Sequence, residues 1–129
     1  MTTLKVGIAD PEEMKERTMR IARGEEKPAP GDPTVWFAST ESFARLLSAS
    51  NRELLRIIHD QEPGSLEELA QITGRATSNV SRTLKKMESF GLVRTEKGIG
   101  LKRVPKVIHD RVELVLPLIE QSQKEGTRT

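Results

Sequence analysis

The 129-residue chain contains no cysteine. No disulfide framework, thiolate nucleophile or Cys-based zinc site can therefore be built. Histidine is almost as scarce: His59 and His109 stand alone, without neighbours at metal-ligand spacing. Aromatic residues make up 3%, too few for a base-stacking platform, and this assigns Trp36 and Phe37 to core or dimer contacts. No apolar run approaches the roughly 18 residues that would cross a bilayer. Met1 to Asp10 also lacks the basic flank and long apolar stretch of a signal peptide. A soluble cytoplasmic protein with no membrane partner is expected. Glu67 and Glu68 are adjacent but have no partner for acid-base work, so the sequence predicts neither enzyme, metal nor cofactor.

What is present is charge, and it is segregated. The length fits one domain with short appendages. The net charge of +2 hides an acidic first part and a basic block. Residues 1–74 carry nine Lys or Arg against thirteen Asp or Glu, whereas residues 75–106 carry nine against two. Attraction to a polyanion depends on where charges lie rather than on their total, so the block is where function is expected.

Apolar periodicity places the elements. Leu4, Val6 and Ile8 alternate as a half-buried strand. A helix follows from Pro11 to about Gly24, with Asp10 as cap, Glu13 at capping-box spacing, and Met14, Thr18 and Ile21 on one face. Residues 25–33, with three prolines, read as a linker, and Thr34 to Ala38 as a strand. Phe43, Leu46 and Leu47 mark a short helix that breaks at Ser48 to Ser50. Ser50 and Glu53 open the next helix, whose buried stripe is Leu54, Ile57 and Ile58 and which Glu62-Pro63-Gly64 stops. Ser65 and Glu68 cap a short helix with Leu66, Leu69, Ala70 and Thr73 inward, and Gly74 allows a tight turn. From Thr77 to Phe90 a helix buries Val80, Leu84 and Met87, and Gly91 with Leu92 ends it as a Schellman motif. Leu92 to Thr95 and Leu101 to Lys106 form a hairpin around residues 96–100, and Val112 to Leu118 is a last strand.

Helix, short capped helix, glycine turn, basic amphipathic helix and basic hairpin, in that order, predict a winged helix-turn-helix. Two packed helices hold the third so that its slim outer side can enter a major groove. Thr77, Ser78, Asn79 and Ser81 would approach base edges, and Arg82 would make a two-pronged contact. Lys97, Lys102 and Arg103 of the hairpin would meet phosphates, supplying affinity without sequence information. Ser65 could also touch a phosphate from its helix N-terminus.

The stretch SNRELLRIIHDQEPGSLEELAQITGRATSNVSRTLKKMESFGLV at 50–93, followed by VPKVIHDRVELVLPL, resembles the MarR-like winged-helix regulators, particularly small antitoxin-type DNA-binding proteins. The resemblance implies base reading by Thr77, Ser78, Asn79, Ser81 and Arg82, and phosphate contacts by Lys85, Lys86 and the hairpin; Arg75, from the same basic block, is also expected among the phosphate-binding residues. Ala76 stands where such sequences place a Ser or Asp cap, which predicts a reading helix that either starts a residue late at Thr77 or is weakly capped.

The expected fold is thus α+β. A strand-helix-linker-strand extension (residues 1–38) precedes a winged helix-turn-helix domain with an extra C-terminal strand (39–119) and a frayed polar tail (120–129). The expected function is sequence-specific double-stranded DNA binding by a homodimer on a palindromic operator, as an autorepressor. The dimer surface would come from Leu4 to Ile8, Val35 to Phe37 or Val112 to Leu118, through strand edges. The alternative is an antitoxin that neutralises a toxin protein through residues 1–33, whose removal would then spare DNA binding. Ligand-responsive regulation is a third reading, but no pocket-forming feature is legible.

Overall fold

The computed structural model describes residues 2–119, so the expected tail lies outside it. The chain is α+β, with five helices and five strands among the described residues. Strand β1 (Thr3–Ile8) leads into α1 (Pro11–Ala22) and then β2 (Val35–Phe37), which lies parallel to β1. Next come α2 (Thr40–Leu46), α3 (Ala49–Gln61), α4 (Leu66–Thr73) and α5 (Thr77–Ser89), then the antiparallel hairpin β3 (Val93–Lys97) and β4 (Arg103–Val107). The last strand, β5 (Arg111–Val115), returns to pair parallel with β1, giving a three-stranded sheet of order β2-β1-β5.

Several local expectations are corrected. Asp10 caps α1 by position, but its side chain makes no capping bond, so the box with Glu13 does not form. Thr18 is exposed and bonds back to the Met14 carbonyl; Met14, Arg17 and Ile21 are the half-buried side of α1. Helix α3 starts earlier than Ser50. Ser48 is its cap and accepts from the Asn51 backbone N–H at 3.2 Å, while the Asn51 amide donates to the Leu46 carbonyl at 2.9 Å. Two residues, Leu47 and Ser48, thus suffice to turn the chain from α2 into α3. The last strand stops at Val115, because its ladder with β1 ends at the pair Gly7 and Val115 and Pro117 has no N–H to offer.

The sheet and the helices share one core. Leu4, Val6 and Phe37 join Leu54, Ile58, Leu69, Val80, Leu84 and Met87 in a single buried cluster. Phe37 stacks on Phe90 just past α5, with centroids 4.0 Å apart, and takes Phe43 edge-on at 5.4 Å. On the opposite face Trp36 lies against β1 where only a glycine fits: a Cβ on Gly7 would stand 2.6 Å from Trp36 Cε3. The Arg17 guanidinium sits 5.8 Å from the Trp36 ring centroid. The segments expected to pair between chains, Leu4 to Ile8 and Val35 to Phe37, are therefore paired with one another inside the chain.

Candidate nucleic-acid interface

The geometry begins with the three-residue turn between α4 and α5. Ser65 caps α4 by accepting from the Glu68 N–H at 3.0 Å, and the Glu68 carboxylate accepts from the Gly64 N–H at 3.0 Å. Ser65 is only 4% exposed, so its hydroxyl is used inside the fold and leaves the expected phosphate set. Gly74 adopts φ +75, and the Arg75 N–H returns to the Ala70 carbonyl at 3.2 Å. Ala76 gives α5 no side-chain cap.

Helix α5 is two-faced. Val80, Leu84 and Met87 are buried at 0, 2 and 0% exposure, which fixes the rotation of the helix on its core. Thr77, Ser78, Asn79, Arg82, Lys85 and Lys86 are exposed, and Ser81 is half-buried at the flank. At 3.6 residues per turn Ser78, Arg82 and Lys85 fall along the side opposite the core. At the other end Gly91 takes φ +80, its N–H bonds the Glu88 carbonyl and the Leu92 N–H bonds the Met87 carbonyl, which is the expected Schellman closure.

The hairpin carries the second group of cations. Its register sets Lys97 opposite Arg103 and Arg94 opposite Lys106, two like-charge pairs that oppose pairing unless something anionic lies near. Arg94 is met by Glu96 at 2.8 Å and Lys106 by Glu62 at 3.9 Å. Arg103 bonds only the Thr95 hydroxyl, and among the described residues Lys97, Lys102 and Arg103 have no carboxylate partner. The same holds for Arg82, Lys85 and Lys86 on α5, whereas Arg17 and Arg20 of α1 and Arg23 just after it are closed in ion pairs.

Arg75 does not belong with these free cations. Its Nη2 donates to the Ser50 carbonyl at 3.1 Å, the Ser50 hydroxyl at 2.7 Å and Asn51 Oδ1 at 3.0 Å, and its Nη1 reaches Asn79 Oδ1 at 3.4 Å. It is a tie between the start of α3 and the start of α5. Two features were missed by sequence reading. Arg45 of α2 lines a small groove of about 190 Å³ together with Arg82 and Lys86, although it comes from the acidic part of the sequence. Ile99 and Leu101 stand 88 and 100% exposed in the hairpin loop; their place in a glycine-flanked turn beside lysines was the available signal.

A second concavity, of about 760 Å³, is lined by none of these unpaired cations. Phe43, Leu47, Leu55 and Val107 line its apolar part, and Arg52 and Asp110 are among its polar lining. No feature of the sequence pointed to it. Its walls come from α2, α3, β4 and β5, which only the tertiary fold brings together. Among the described residues no group of three or more His, Asp or Glu could hold a metal ion, and no helix is long and apolar enough to cross a membrane.

A two-faced basic helix set on a capped helix-turn and followed by a basic hairpin is the geometry that residues 46–114 build. Those same residues match the HVO_A0114 family model. The match spans more than half of the chain, which belongs to that family. It begins at the end of α2 and stops inside β5, so β1, α1 and β2 lie before it. No curated protein matches the chain.

Proposed function

We propose that the chain is a winged helix-turn-helix regulator that binds double-stranded DNA sequence-specifically as a homodimer and represses by occupying a two-fold site. In this reading α5 enters the major groove and the β3–β4 hairpin is the wing. The observation that carries it is a group of cations, Arg82, Lys85, Lys86, Lys97, Lys102 and Arg103, that have no carboxylate partner among the described residues and stand on a helix and a hairpin whose other sides are anchored in the core. Ser78, Asn79 and Arg82 read base edges, while Lys85, Lys86 and the wing neutralise phosphates. Arg45 joins the phosphate group through the groove it shares with Arg82 and Lys86.

Selection of duplexes from a randomised pool by the full chain tests this. Enrichment of a motif with two-fold symmetry is the expected result, and log affinity should fall by about 0.9 per phosphate contact for each unit of log salt. A pool that stays random, with no salt dependence of binding, overturns it.

One observation favours a second reading, an antitoxin whose partner protein docks on α1. That helix has no buried residue, and Met19 is 48% exposed on it. Co-purification of a partner lost on Met19→Asp would support this reading.

A further inference from the structure

The sheet has two outer edges, and they differ. At one edge β2 is three residues long, which leaves little template for pairing. At the other β5 offers five residues with no lysine, and Leu114, Val115, Leu116 and Leu118 are 37, 40, 44 and 91% exposed along and beyond it. Partnered residues of a parallel ladder share a face, so Val112 beside Leu4 and Leu114 beside Val6 continue the buried side of the sheet. That apolar face thus runs past the edge of the core.

We infer that this edge is the seam of the homodimer: β5 pairs antiparallel with β5 of a second copy about a two-fold axis at Leu114. An axis at Glu113, the centre of the strand, would set that carboxylate opposite itself, which is unfavourable. Moving it by one residue to Leu114 removes the clash. Leu114 then faces its own copy, and Val112 faces Leu116 of the second chain. Both pairs lie on the apolar side, since directly opposed residues share a face. The result is a continuous sheet of order β2-β1-β5-β5-β1-β2.

The concavity of about 760 Å³ fits the same arrangement. It is lined by Asp110 and Val112 at the start of β5. A strand climbs about 3.3 Å per residue, so each chain's own Leu116 leaves the sheet roughly 13 Å from that opening. Antiparallel pairing instead sets Leu116 of the second copy beside Val112, at the mouth of the cavity. Each chain gives an apolar arm and receives one, the reciprocity a two-fold interface requires. This inference specifies the dimer that the DNA-binding reading invokes, but its test uses no DNA and so fails or succeeds apart from that reading.

The test is sedimentation of the full chain together with Leu114→Lys and Leu114→Cys. The wild type should sediment as a dimer, and Leu114→Lys should raise its dissociation constant about tenfold or more with unchanged far-ultraviolet dichroism. The chain has no native cysteine. Opposed Cα atoms of an antiparallel pair lie about 4.5–5.5 Å apart, within disulfide reach, so Leu114→Cys should oxidise to a covalent dimer much faster than the control Met19→Cys. A monomeric wild type overturns the inference. So does a dimer that a folded Leu114→Lys leaves intact, and so does cross-linking by Leu114→Cys no faster than by Met19→Cys. Should Leu114→Lys unfold, the cross-linking comparison alone decides.

Discussion

Arg75→Ala tests whether Arg75 holds α5 in place or itself touches DNA in the proposed complex. The guanidinium makes three bonds of 2.7–3.1 Å to Ser50 and Asn51 and a longer one of 3.4 Å to Asn79. A bond from a charged donor contributes about 1.5–3 kcal/mol when buried. Arg75 is only half-buried and its bonds share one group, so solvent screening and non-additivity reduce the sum to about 1–2 kcal/mol. For a chain of this size that lowers the melting temperature by roughly 3–10 °C. Affinity for an operator should fall because the start of α5, uncapped at Ala76, loses its tie to α3. The slope of log affinity against log salt should not change, since no phosphate contact is removed. Lys102→Ala should behave in the opposite way, with a slope shallower by about 0.9 and unchanged stability. Thermal melts and fluorescence-anisotropy titrations at several salt concentrations measure both. A shallower slope for Arg75→Ala without loss of stability would refute the argument and return Arg75 to the phosphate set.

Arg82→Ala should cost about 1–3 kcal/mol on a selected operator and relax preference at one position; equal losses on operator and random duplex would remove its reading role. Met87→Ala, at a position with 0% exposure, should destabilise by about 2–5 kcal/mol in denaturant unfolding. Acid should weaken the fold through Glu26, whose carboxyl is held below its ordinary 4.5 first by the hydrogen bond from Arg20 and also by Arg17. A depressed acid stabilises the fold above its unfolded value and ceases to do so as pH falls through the folded one. The melting temperature of Glu26→Gln should therefore lie below wild type at neutral pH and converge with it below about pH 4.5.

How much of this was legible in the sequence depends on how local the cause is. Helix α5 was expected over Thr77 to Phe90 and runs over Thr77–Ser89, because Val80, Leu84 and Met87 repeat at helical period and Gly91 supplies the left-handed closure within the same segment. The cap at Ser65 is equally local. The choice between Ser48 and Ser50 as cap of α3 was not, since Ser50 is engaged by Arg75, 25 residues further on. The pairing of β5 with β1 joins residues more than a hundred positions apart, such as Thr3 and Arg111, and nothing in either strand names the other. The candidate face follows the same division. Its helical half was readable from periodicity and charge, whereas the withdrawal of Ser65 and Arg75 and the arrival of Arg45 depend on burial and contacts that only packing creates.

That long-range pairing also changes how the two functional readings can be told apart. If residues 1–33 were a detachable partner-binding arm, deleting them would spare DNA binding. They are not detachable. The deletion removes β1, the central strand of the sheet, with Leu4 and Val6 at 5 and 1% exposure in the common core. It strands β2 and β5, and it leaves Phe37, whose ring stacks at the end of α5, without the sheet that holds it. Burying a Leu and a Val contributes about 1.5–3 kcal/mol each, and losing them along with two ladders is comparable to the whole stability of a domain of this size. Loss of DNA binding in that deletion would therefore report unfolding, not a shared surface. The separating perturbation has to be a side chain outside the core, and Met19→Asp on α1 is one. On the regulator reading it leaves operator affinity and melting temperature unchanged, and on the antitoxin reading it releases the partner while DNA binding persists.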